Sequence, residues 1–138
     1  MQYMMLVYLD ENALSQTESE SCYRESTQLA QELDASGHYL AAAPLQPTST
    51  ATSVQVRDGK RLVTDGPFAE TKELIGGYAI LQFTSKAEAL EWTKRFVQVD
   101  APGRLGGESE CELRPFFEFE EFGPSAAAER FRAMGVKT

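Results

Sequence analysis

The chain has 138 residues, 42% hydrophobic and 25% charged, with a formal net charge of −8. This length can enclose one core without disulfide or metal support, and the composition excludes a disordered chain and a membrane-embedded one. With 13 basic against 21 acidic residues and no basic run longer than Lys60-Arg61, the average surface repels polyanions; this argues against direct nucleic-acid binding, which draws most of its non-specific affinity from phosphate neutralisation.

The opening MQYMMLVYLDENAL has an apolar run too short to span a bilayer, no basic segment before it and no small-residue cleavage site. A cytoplasmic protein with no membrane partner is the expectation. Cys22 and Cys111 stand far apart in no CxxC or Cys/His spacing, so zinc and redox motifs are absent and free thiols are expected.

Taken in chain order, Gln2 to Leu9 is apolar on both faces, as an internal strand is. From about Leu14 to Ser36 the period changes: Cys22, Ser26, Leu29 and Leu33 form a helical stripe, and Gly37 stands where a C-cap glycine belongs. His38 to Ala43 reads as a short strand stopped by Pro44 and Pro47. TATSVQVRDGKRLVTD is a β-hairpin turned at Asp58-Gly59, a pair that tolerates the positive φ angles of a tight turn.

Gly77 to Thr84 is the next strand. Ser85 and Glu88 form an S-x-x-E capping box for a helix running to about Val97. After a loop containing Pro102, Gly103, Gly106 and Gly107, Glu110 to Phe119 alternates as a strand, and Pro115 within it points to an edge position or a bulge. A short helical tail, about residues 121–138 with its helix from Ser125 to Met134, completes what reads as a single domain over residues 1–138.

Without the hairpin this order is the β-α-β-β-α-β arrangement of a ferredoxin-like α+β domain, an antiparallel sheet with both helices on one face. The other face then needs a cover, given large apolar residues such as Tyr3, Met5, Val7, Ile80, Phe117 and Phe119.

RDGKRLVTDGPFAETKELIGGYAIL, with SGHYLAAAPLQPTSTATSVQV before it and ALEW after it, resembles the YCII-related family in its DGPF branch, over roughly residues 2 to 119. The resemblance implies a dimeric α+β barrel, two ferredoxin-like sheets packed face to face, and so a homodimer. Many members pair a histidine on the first helix with an aspartate; here that histidine position falls near Ser26, so the dyad does not carry over. The DGPF branch is also similar to domains joined to sigma factors, which implies a regulatory link to transcription.

The loop VTDGPFAETKE supplies the candidate site residues. Gly66 lets the backbone turn and Pro67 fixes its own φ, which holds Asp65 and Phe68 on stiff chain, and a carboxylate at a strand end can act as acid or base, or accept hydrogen bonds, while it also suits turn capping. Asp65 is therefore the candidate catalytic group. His38, the only histidine, together with Phe68, Glu70 and Tyr78, is a candidate for ligand contact. Asp65, Glu70 and Glu73 match no ion-binding spacing, so no metal and no cofactor is expected. Gly76-Gly77 leads into a strand and is no phosphate cradle. Two readings follow: a cofactor-independent enzyme acting on an unidentified small organic molecule, or a small-molecule-binding or protein-interaction module.

Overall fold

The computed structural model describes residues 1–9, 16–66, 74–100 and 110–135. β1 (Gln2–Leu9) is apolar on both faces because it is internal, hydrogen-bonded antiparallel to β5 (Leu74–Gln82) on one side and to β6 (Glu110–Pro115) on the other. β2 (Tyr39–Pro44) pairs antiparallel with the far side of β5, giving the sheet order β2-β5-β1-β6. That is the ferredoxin-like order, and α1 (Gln16–Ala35) and α2 (Lys86–Asp100) pack on one face of it.

The period of two in β1 divides its side chains. Tyr3, Met5 and Val7 are buried beneath the helices with Leu29, Leu33, Ala79, Leu81, Phe83 and Ala89. Each leucine buried in this way contributes about 1.5–3 kcal/mol. Met4, Leu6 and Tyr8, with Tyr78 and Ile80 opposite them, lie on the helix-free face and are half-buried. Tyr3, Met5 and Val7 thus belong to the covered face.

Local chemistry sets the ends of the elements. α1 stops in a Schellman motif at Gly37 (φ 75°), where the N–H of His38 reaches the Leu33 carbonyl and that of Gly37 the Asp34 carbonyl, each at 2.9 Å. At the start of α2, Ser85 Oγ accepts from Glu88 N at 3.2 Å. The Glu88 carboxylate reaches back to Thr84, taking its N–H at 3.1 Å and its hydroxyl at 2.8 Å.

β3 (Thr52–Arg57) and β4 (Lys60–Asp65) form the expected hairpin, with Asp58 at φ 51° and Gly59 at φ 74°. It is a separate two-stranded sheet, and Val54, Val56, Leu62 and Val63 are exposed on it.

The last strand is shorter than its alternation predicts. β6 ends at Pro115 on the sheet edge, where a residue without N–H is tolerated, and the chain then turns through a 3₁₀ helix at Phe119–Phe122. Phe117 and Phe119 therefore leave the sheet: Phe117 packs on Phe122 with ring centroids 5.4 Å apart, and Phe119 lies under the Arg132 guanidinium at 5.0 Å. Arg132 comes from α3 (Ala126–Ala133), which Ser125 caps by accepting from Ala128 N. Cys111 is half-buried against the core, and the side chain of Cys22 lies outside the described residues. No helix among the described residues is long and apolar enough to cross a membrane.

Candidate functional site

A cavity of about 270 Å³ opens between α1 and the β2 edge of the sheet. Its floor is the core itself: Met5 and Val7 of β1, Ala79 and Leu81 of β5, closed by Leu33 and Phe96 from the helices. Its mouth is exposed, with Tyr23 and Thr27 on α1 facing Ala42 and Pro44 on β2.

The space follows from residue size. The inner stripe of α1 carries Ser26 and Ala30 before it reaches Leu33, β2 is an alanine run, and β5 offers Gly76, Gly77 and Ala79. None of these side chains can fill the gap between helix and sheet. The glycines also shape the wall. Val7 pairs with Gly77 and Tyr8 with Ile75, leaving Gly76 as a bulge whose carbonyl accepts the Leu45 N–H at 2.8 Å. A Cβ on Gly77 would stand 3.1 Å from the Ala43 carbonyl oxygen, so glycine lets β2 approach β5 here more closely than a larger residue would by a few tenths of an ångström.

The polar side chains in its lining carry hydroxyls: those of Tyr23, Ser26, Thr27 and Tyr39, with the Thr27 hydroxyl donating to the Tyr23 carbonyl at 2.7 Å. Among the described residues no group of three or more His, Cys, Asp or Glu could hold a metal ion.

Of the residues expected at a site, Tyr78 borders this cavity by its place on β5, while its pairing with Leu6 puts its side chain on the helix-free face. Asp65 does not border the cavity; it ends β4 opposite Thr52 with its side chain exposed, because β4 belongs to the hairpin and not to the four-stranded sheet. The chain beside it is nonetheless fixed. Gly66, at φ 98°, donates its N–H to the Ala51 carbonyl at 2.6 Å, and its own carbonyl accepts from Ser53 Oγ. Phe68 and Glu70 lie outside the described residues.

His38 is held elsewhere, between strand and helix. Its Nδ1–H donates to the Gln82 carbonyl at 2.9 Å, its Nε2 lies 3.2 Å from Glu88 Oε1, and its ring stacks on Phe83 at 4.8 Å and meets the edge of Trp92 at 5.8 Å. The Thr84 hydroxyl and N–H hold the Glu88 carboxyl below its ordinary range, with His38 adding to the effect. This arrangement pins the start of β2 to the first turn of α2.

A second polar cluster stands on the helix-free face. Tyr8 Oη donates to Glu112 Oε2 at 2.9 Å, and Arg114 pairs with the other carboxylate oxygen. The Tyr8 bond, followed by the Arg114 bond, holds the Glu112 carboxyl below its usual range, and the same Tyr8–Glu112 bond holds the phenol above its own. A carboxylate depressed by folding stabilises the native state above its unfolded pKa and loses that contribution as pH falls through the folded value. A raised phenol stabilises it below about 10 and loses that as pH rises further. Tyr8→Phe is expected to shrink both the acid and the alkaline fall in stability while leaving the neutral plateau flat. Urea melts across a pH series would check this, and unchanged limbs would deny the bond any energetic role.

Sequence reasoning missed Tyr23, Ala30 and Tyr39, and reached Ser26 as part of a helical stripe and as the neighbourhood of a missing histidine, without assigning it to a cavity. The signal was available in the small residues on two facing elements, Ser26 and Ala30 against Ala41-Ala42-Ala43. A model of the YCII-related domain matches residues 1–116. An uncharacterized protein of Rhizobium meliloti (strain 1021) is similar to the chain at 34% identity over 97 residues, which is 68% of this chain and 78% of that protein.

Proposed function

The chain belongs to the YCII-related family, and from that premise we propose that it binds a small organic molecule in the cavity between α1 and the β2 edge. The observation that carries this reading is the apolar opening itself, walled by small residues that include Ser26, near which the resemblance puts the family's helix histidine. An apolar pocket with a few convergent polar groups is the usual form of a small-molecule site. We also propose that the protein is a homodimer through the helix-free face. If the sigma-factor link implied by the resemblance holds, the bound molecule is a signal and not a substrate.

A second reading, a cofactor-independent enzyme with Asp65 as acid or base, is favoured by one observation: the backbone on either side of Gly66 is tied to Ala51 and Ser53, which holds the Asp65 carboxylate on fixed chain at the root of the DGPF loop. A thermal-shift screen of metabolites on the wild type, Ala30→Phe and Asp65→Asn separates the two. A ligand at a hundred times its Kd adds about 2.7 kcal/mol of stability. The binding reading expects that gain to vanish in Ala30→Phe, whose ring fills the cavity, and to survive in Asp65→Asn. Turnover that disappears in Asp65→Asn establishes the enzyme. A gain undiminished in Ala30→Phe removes the cavity from consideration.

A further inference from the structure

We infer, on the reading that the cavity is the binding site, that its ligand is an uncharged molecule of about the size of a fused two-ring aromatic, and that the site rejects carboxylates and ammonium groups. In a chain that is 25% charged, none of the described residues lining the cavity is Asp, Glu, Lys, Arg or His. The hydrogen-bonding side chains are hydroxyls of Tyr, Ser and Thr, which can donate to or accept from a neutral polar group but cannot neutralise an ion.

The electrostatics make this a selection and not a mere preference. An ion held at the hydroxyl-bearing rim gives up part of its water without gaining an opposite charge from any lining residue, and neutral hydroxyls do not replace what it loses. Arg24, next to Tyr23 on α1, borders a separate surface depression with Thr27, Gln28 and Gln31 and is not among the residues lining this cavity. The size follows from the volume. An apolar cavity of about 150 Å³ takes up benzene, so about 270 Å³ accommodates a bicyclic ring with one small polar substituent at the hydroxyl-bearing rim.

The test uses three probes of nearly the same shape, 2-naphthamide, 2-naphthoate and 2-naphthylmethylammonium, titrated calorimetrically into the full-length protein and into Ala30→Phe. Ala42→Phe, on the exposed side of the mouth, serves as a second filled variant if Ala30→Phe folds poorly. The expected result is that the amide binds and that each ion binds at least about tenfold more weakly, the least that an unpaired, partly desolvated charge should cost. Binding of the amide is expected to be lost in the filled variant. An ion that binds as tightly as the amide, and is lost in the filled variant, overturns the neutrality inference while leaving the cavity as the site. Failure of all three probes to bind, or amide binding undisturbed by both filled variants, overturns the cavity reading and this inference with it.

Discussion

Leu81→Ala is expected to lower the stability of the fold by about 2–5 kcal/mol, toward the upper part of that range. Leu81 is 1% exposed and sits on β5, paired with Tyr3 of β1 on one side and Tyr39 of β2 on the other. Strands held by hydrogen bonds on both edges cannot close over the methyl groups removed, and the void would merge with the existing cavity, whose floor Leu81 helps to form. A melting temperature lower by on the order of 10 °C follows from a loss of this size in a domain of this length. Val56→Ala on the hairpin, 68% exposed in the native state, is expected to change stability by roughly 0.5 kcal/mol or less. Denaturant melts of the two variants side by side test the division between core and hairpin. A Leu81→Ala protein within 1 kcal/mol of wild type would show that the sheet under α1 is not the stabilising core.

The elements that sequence reasoning could reach are those whose cause is local. β1 is apolar on both faces because it is internal, the hairpin turns where Asp58-Gly59 accepts positive φ, and α1 and α2 begin or end at Gly37 and Ser85 for reasons contained within a few residues. The strand after Glu110 shows where a local pattern misleads. The alternation of Leu113, Pro115, Phe117 and Phe119 continues past the point where pairing stops, because Phe117 and Phe119 find partners in Phe122 and Arg132, which the two-residue period does not encode.

The candidate site was harder to read for a related reason. A cavity consists of volume that side chains do not occupy, and Ser26, Ala30, Ala42 and Gly77 create one only when the topology brings them together. Glu88, fifty residues from His38 in sequence, is likewise a partner that no spacing rule finds. Asp65 is the converse case. Its turn chemistry is legible and correctly puts it at a strand end, but whether that strand adds to the main sheet or stands apart is decided by pairing, and among the described residues β4 pairs with β3 alone.

On the proposal that two copies meet through the helix-free face, Leu6→Lys and Ile80→Lys are each expected to leave a monomer at micromolar concentration, weakening self-association at least about a hundredfold. Both residues lie on the helix-free face, with Met4 and Tyr78 beside them, and among the described residues α1 and α2 pack on the opposite side of the sheet. A contiguous apolar face of this kind marks an interface, and a two-fold axis through it would let the same surface meet itself. The polar residues on it suit burial. Glu112 already receives Tyr8 Oη and Arg114 within its own chain, so packing a second copy against the face would not strand the carboxylate. A lysine at position 6 or 80 would instead bring an unpaired ammonium, and across the axis its copy, into the contact. Breaking a buried charge balance costs about 3–5 kcal/mol, and each 1.4 kcal/mol is a factor of about ten in Kd. Because neither side chain faces the helices, the variants should keep the helical and strand content of the wild type, and light scattering with circular dichroism would separate dissociation from unfolding. A wild type that scatters as a monomer, or folded lysine variants that remain dimeric, would rule out the helix-free face as the contact between two copies of this chain.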